Sequence, residues 1–251
     1  MTMKRDDAID ILKCLAILLI LNAHSKELFG RWEVLSTGGI IGNSLFFFCS
    51  GFTLSIKKIN LDFLNWYKRR IARILPSLFS WALLLGAIGY GALGEKSMIK
   101  LVTGGGFWFI SCILVYYILL YWHCRYTKRY TGILFLINIA IAFIFYLLVY
   151  DRFEFIWRSP VKFVNYFAFM LLGIMTCSSI HKYVFILNKK WLAGSLAIIC
   201  LTLWLGRNFI TSNQILSIVP LLGFSFFSYM ALRTNQHFDN SNCQKVLMEG
   251  G

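Results

Sequence analysis

Apolar residues run through this chain in eight blocks of 16 to 20, separated by short stretches rich in Lys, Arg and polar residues. The blocks are Ala8 to Glu27, Thr37 to Ile56, Ile74 to Leu93, Phe107 to Trp122, Thr131 to Tyr150, Phe163 to Ile180, Trp191 to Gly206 and Gln214 to Leu232. A helix of about 20 mainly apolar residues crosses the hydrocarbon core of a bilayer. The pattern therefore predicts an all-α, polytopic transmembrane bundle of about eight spans. Residues 1–232 form its membrane domain, and 233–251 a polar cytoplasmic tail or connector through Asn240, Ser241, Asn242 and Gln244.

Composition sharpens this picture. Hydrophobic residues make up 58% of the 251 positions and charged residues 14%, with a mean hydropathy of +0.66, which excludes a water-soluble fold. Many of the 8 Trp and 12 Tyr stand at the edges of the apolar blocks, where amphipathic rings anchor at the bilayer interface. The net charge of +14 would suggest a nucleic-acid partner in a soluble chain. Here the cations lie between spans, so no nucleic acid is expected. Alternate sides of the predicted membrane carry 16 and 8 Lys and Arg, with Lys13 inside the first span. The richer side is cytoplasmic by the positive-inside rule. The amino terminus and the segment Lys57 to Arg73 are thus expected in the cytoplasm, and the protein in the cytoplasmic (inner) membrane. The basic amino terminus lacks a small-residue cleavage site and reads as a retained first span. The seven cysteines show no paired ligand spacing, so neither a metal site nor a disulfide framework is expected.

Ionisable groups are expensive inside a bilayer and mark function by default. The first span alone carries them away from its ends: Asp10, Lys13 and His24. Lys13 and His24 stand eleven residues apart, which on a helix returns to within about 20° of the same face and separates them by about 16 Å. Asp10, three residues before Lys13, is in pairing range. The plain structural alternative is a lysine that snorkels to the interface and an interfacial histidine. A second cluster, Arg69, Arg70 and Arg73 before Pro76, places Arg70 and Arg73 on one helical face. Alone it reads best as a stop-transfer signal, though planar guanidinium forks also suit phosphate. In the second span, Phe46-Phe47-Phe48-Cys49-Ser50-Gly51 sets small residues beside aromatics, a pattern that by itself speaks for close helix packing. Gly104-Gly105-Gly106 follows no strand and is not a phosphate loop.

Together these stretches resemble the acyltransferase-3 family of membrane acyltransferases, many of which acylate surface glycans. Lys13 and His24 match the family's basic-x10-His motif, with Asp10 at the expected place. Phe46, Phe47, Ser50 and Gly51 match its Phe-Phe-x-x-Ser-Gly stretch, and Arg70, Arg73, Ile74 and Pro76 its Arg-x-x-Arg-Ile-x-Pro stretch. Phe107-Trp108-Phe109 with Tyr116 and Tyr117 looks like the next landmark. Lys13 stands where arginine is usual, and Ser44 where an acidic residue is frequent. The family usually has about ten spans and this chain supplies eight, so a truncated or naturally incomplete, inactive member is one expectation.

The resemblance implies an O-acyltransferase that moves an acyl group, with acetyl-CoA the expected donor, to a hydroxyl of a surface or lipid-linked carbohydrate. It implies no bound cofactor; acyl-CoA is a co-substrate, and the partners are bilayer, donor and glycan. His24 takes the role of general base, with an acyl-histidine as the competing route. Lys13, Arg70 and Arg73, with Arg69, are expected to hold the donor's phosphates, and Asp10 and Ser50 to support the site. The rival class is a glycan transporter or flippase component, which would distribute charges over several helices and break paired spans with Gly or Pro; a bland packing subunit is the third. The predicted orientation has a direct check: in single-cysteine variants, an impermeant thiol reagent should label the loop from Lys57 to Arg69 only from the cytoplasmic side and the loop from Glu95 to Lys100 only from outside. Labelling of both from one side would overturn the orientation.

Overall fold

The computed structural model describes residues 6–25, 28–29, 36, 38–56, 59–87, 108–148, 161–179, 189–206 and 215–233. The terminal tail, the loop from Glu95 to Lys100, the triple glycine and Phe107 lie outside these residues. Among those described, the chain is helical and holds no strand. The α-helices are α1 (Asp7–His24), α2 (Gly39–Ser55), α3 (Phe63–Ala87), α4 (Trp108–Trp122), α5 (Thr131–Leu148), α6 (Val161–Ser178), α7 (Lys190–Leu205) and α8 (Ile215–Leu232). Each overlaps one apolar block, and seven do so within about three residues at either end.

The exception is α3. The segment before Ile74, expected as a cytoplasmic loop, is already helical from Phe63. Hydropathy could not show this, because the first turns are amphipathic: Phe63, Trp66, Tyr67 and Arg70 recur at helical spacing, and Asp62 caps the start by accepting from the Asn65 amide at 3.3 Å. The connection from α4 to α5 is also helical, through a π-helical turn, His123–Thr127, and a 3-10 turn, Lys128–Tyr130. One helical stretch, Trp108–Phe145, is long and apolar enough by length and composition to cross a membrane. It carries two of the predicted blocks. Gly39–Ser55, Lys162–Ser178, Lys190–Leu205 and Ile218–Leu232 are shorter apolar helices.

The chain divides into two units, Met1–Lys57 with Tyr130–Gly251, and Lys58–Arg129. In the first, α2 is central, packing against α1, α6 and α8, while α5 lies on α6 and α7 on α8. Glycine makes the closest approaches possible. A Cβ on Gly42 would sit 2.7 Å from the Ala16 carbonyl oxygen of α1. A Cβ on Gly51 would overlap the Met170 carbonyl of α6, and one on Gly173 of α6 would overlap the Phe48 carbonyl of α2. Such backbone-to-backbone packing is how helices associate where lipid removes the hydrophobic drive.

Polarity in this unit is arranged inside out. Ile133, Leu136, Ile137, Ile141 and Ile144 of α5 are exposed, as are Ile11, Leu18 and Leu21 of α1, whereas Ser44, Asn165, Thr176 and Ser225 are buried. The buried hydroxyls return to their own helix: Ser44 donates to Ile40 at 2.8 Å, Thr176 to Leu172 at 2.8 Å and Ser225 to Leu221 at 3.0 Å. A hydroxyl satisfied in this way costs little in an apolar medium. These surfaces suit a lipid solvent.

In the second unit, α3 packs on α4 through rings: Trp66 meets Tyr117 at 5.9 Å and Tyr121 at 5.4 Å, and Phe63 meets Tyr121 at 5.1 Å. The Tyr67 hydroxyl donates to the Leu114 carbonyl at 3.4 Å.

Gly51→Ala and Gly173→Ala should each lower the thermal stability of the detergent-solubilised protein by about 1–3 kcal/mol, the usual cost of overpacking. Gly194→Ala on α7, where a Cβ meets nothing within 4 Å, should be neutral or slightly stabilising. Equal melting temperatures for all three would refute the backbone packing described above.

Candidate functional site

Helix α1 begins on a cap that also ties it to the other end of the chain. Asp6 accepts the Ala8 amide on Oδ1 at 3.1 Å, and its Oδ2 accepts the Tyr229 hydroxyl of α8 at 3.0 Å. Tyr229 is fully buried, with Phe52 at 4.9 Å and Phe48 at 6.0 Å between ring centroids. Helix α1 then runs unbroken to His24, and Ser25 closes it, its hydroxyl donating to the Leu21 carbonyl at 2.8 Å. Unbroken helix preserves the eleven-residue relation of Lys13 to His24.

Ala8, Ile9, Leu12 and Ala16 form the face of α1 that is buried against the bundle, and Asp10 and Lys13 flank it, both half-buried. Around them lies the buried Cys49 of α2, whose thiol reaches the Ile9 carbonyl at 3.9 Å and feels the charges of Lys13, Asp6 and Asp10. Ser50 follows, half-buried, and its carbonyl accepts the Thr53 hydroxyl at 3.1 Å. Asp10 and Lys13 thus share a neighbourhood with Cys49 at the α1–α2 interface. His24 is exposed at the opposite end of α1, one residue past Ala23, against which Gly39 of α2 packs. The structure therefore sets charge and imidazole at two ends of a single rigid element.

The aromatic stretch of α2 turns its rings inward. Phe47 is buried against Tyr166 of α6 at 5.2 Å, and Gly51 lets the Met170 backbone approach. Ser44, at the position where the resemblance often has a carboxylate, spends its hydroxyl on Ile40.

The arginines lie in the second unit, on α3. Arg69 and Arg73 are exposed and Arg70 is half-buried. The Arg70 guanidinium lies over the Trp66 ring, 5.2 Å from its centroid, a cation–π contact at helical i, i+4 spacing. Burial lowers the Arg70 pKa from its ordinary value; Tyr117 opposes that shift and Arg73, a like charge, adds to it. Arginine stays cationic throughout such shifts, so the result is a desolvated guanidinium beside a second, open one. That pair suits an anion with several oxygens. The hydrogen bond from the Asn65 side chain, at 2.6 Å, lowers the Asp62 pKa, keeping the cap of α3 ionised.

The model of the family described as an acyltransferase domain matches residues 6–248, nearly the whole chain. The chain belongs to the acyltransferase-3 family. No curated protein and no solved structure matches it. Family membership makes the protein an acyltransferase and agrees with the lipid-suited surfaces, since the family is membrane-associated.

Within this acyltransferase-3 chain, sequence reasoning found the charged positions of α1 and α3 but missed what holds them. Hydropathy places Tyr229 in the eighth apolar block and Trp66 in the segment between blocks, and it shows neither contact. The i, i+4 spacing of Trp66 to Arg70 was available as a signal. The pairing of Asp6 with Tyr229 across 223 positions was not.

Proposed function

We propose that this acyltransferase moves an acyl group, acetyl in the first instance, from acyl-CoA to a hydroxyl of a surface or lipid-linked carbohydrate. The observation that carries the reading is the family match across residues 6–248, together with Lys13 and His24 on one unbroken helix. A hydroxyl is a poor nucleophile until a base takes its proton, and imidazole changes protonation near neutral pH. His24 accepts the acceptor's proton as the hydroxyl oxygen attacks the thioester carbonyl. The C–O ester bond forms, the C–S bond breaks, and the CoA thiolate leaves and is protonated by the imidazolium. Arg70 and Arg73, with Arg69 beside them, hold donor phosphates, and Lys13 contributes a positive charge on the α1 face. Asp10 and Ser50 support Lys13. Among the eight apolar blocks only the first carries ionisable residues away from its ends, rather than several doing so, which favours this reading over transport.

The deciding experiment compares O-acylation of surface glycans, read by mass spectrometry, in cells with full-length wild-type protein or variants. His24→Ala should reduce acyl transfer about 10²- to 10⁴-fold at unchanged abundance in the membrane. Lys13→Arg should stay active and Lys13→Ala should lose most activity, because a phosphate anchor needs the charge. A His24→Ala protein of normal abundance that acylates at the wild-type rate would remove the catalytic assignment.

The donor site has a separate check. Arg70→Ala and Arg73→Ala each remove a charge-assisted contact worth about 1.5–3 kcal/mol, so the KM for acetyl-CoA should rise about ten- to hundredfold with membrane insertion intact. Unchanged KM in both variants would return the cluster to a topological role.

A further inference from the structure

The π-helical turn after α4 presents Arg125, one of the cations that the charge distribution assigns to the cytoplasmic side. Its surroundings are more specific than topology requires. The Leu61 carbonyl, two residues before α3 begins, accepts Arg125 Nη1 at 2.8 Å and the Tyr121 hydroxyl at 3.0 Å. Arg125 Nη1 also donates to the Tyr121 hydroxyl. The guanidinium lies over two rings, 5.6 Å from the Tyr121 centroid and 5.5 Å from that of Tyr126, and it feels the charge of Asp62. The turn that starts α3 is thereby strapped to the end of α4.

The strap continues inward. Tyr121 is buried against Trp66 at 5.4 Å, and Trp66, only 6% exposed, carries Arg70 on its face. A guanidinium, two tilted rings and a second guanidinium thus touch in order: Arg125, Tyr121, Trp66, Arg70. The rotation of α3 about its own axis decides where Arg70 points. The rings resist that rotation on one side, and Leu61, held by two donors, resists it from the helix start. A π-helical turn is uncommon and concentrates at functional positions because its extra residue re-aims the side chains that follow.

We infer that Arg125 is a positioning residue for the donor-binding arginine Arg70, fixing the orientation of α3 through Leu61 and the Tyr121–Trp66 ring contact. This rests on the reading of the α3 cluster as a phosphate site. Arg125 needs no contact with the donor to do this. Its planar, stacked fork matters, and its charge alone does not suffice.

The test uses full-length protein in detergent, with coenzyme A as the probe and affinity measured by titration calorimetry beside a melting curve. Arg125→Ala should weaken coenzyme A binding about three- to tenfold with little change in melting temperature. Arg125→Lys keeps the charge but loses the flat stack, and should bind no better than about twice as tightly as the alanine variant. Tyr121→Phe, which keeps the ring and drops the hydroxyl, should weaken binding at least twofold, and it serves if Arg125→Ala folds poorly. Adding Arg125→Ala to Arg70→Ala should cost less than a further twofold, since coupled residues are not additive. Wild-type affinity in Arg125→Ala, full recovery in Arg125→Lys, or independent losses in the double variant would each overturn the inference while leaving the donor site standing. If Arg70→Ala itself binds coenzyme A normally, the phosphate reading fails and the inference falls with it.

Discussion

Helix α2 touches its neighbours backbone to backbone, and the rest of the first unit is arranged around that constraint. At Gly51 and Gly173 there is no room for even a methyl group between α2 and α6, and Gly42 leaves little more between α2 and α1. In water such contacts would be a detail beside the burial of apolar area. Among lipid tails, which solvate leucine as well as protein does, shape and close van der Waals contact carry association instead. This explains why the aromatic stretch of α2 sets large rings beside glycine and serine: the rings fill the space around Tyr166 and Tyr229, and the small residues set the distance at which they can do so. The axial register of α1, and with it the depth of Lys13 and His24, follows from where Ala16 meets Gly42.

The second unit solves a different problem. The groups proposed to bind the donor there are guanidinium ions near a predicted membrane boundary, where long cationic side chains sample many orientations. Aromatic faces restrict them. Arg70 rests on Trp66, and Arg125 lies over Tyr121 and Tyr126 while donating to the Leu61 carbonyl, so rings orient both cations. A carboxylate would neutralise the charge that an anionic ligand needs, whereas a ring orients the cation and leaves its charge available. The exposed Arg69 and Arg73 beside the half-buried Arg70 then form a graded set, from solvated to desolvated.

Most of the helices were legible because hydropathy is a long, redundant signal: blocks of sixteen or more mainly apolar residues leave little choice in lipid. The start of α3 escaped because Lys68, Arg69 and Arg70 outweigh Phe63, Trp66 and Tyr67 in any average, although their spacing is helical. The turn from His123 to Tyr130 escaped because its basic residues look like a loop, and a π-helical turn has no compositional mark. For the site, Asp10, Lys13 and His24 stood out as charges where charges are costly, and the arginine pair through its spacing. Tyr229 and Tyr121 could not stand out, since a tyrosine in an apolar block is ordinary until its hydroxyl is seen to find Asp6 or Leu61.

The bond between Asp6 and Tyr229 also bears on how the protein is made. Its two partners are separated by 223 positions, nearly the full length of the chain. At about 5–20 residues per second, a ribosome delivers Tyr229 roughly 10 to 45 s after Asp6. Until α8 has been made, Asp6 Oδ2 lacks the hydroxyl that it accepts in the folded structure. The segments that meet at Gly42, α1 and α2, are made within seconds of each other, so their packing can precede the hydrogen bond to α8.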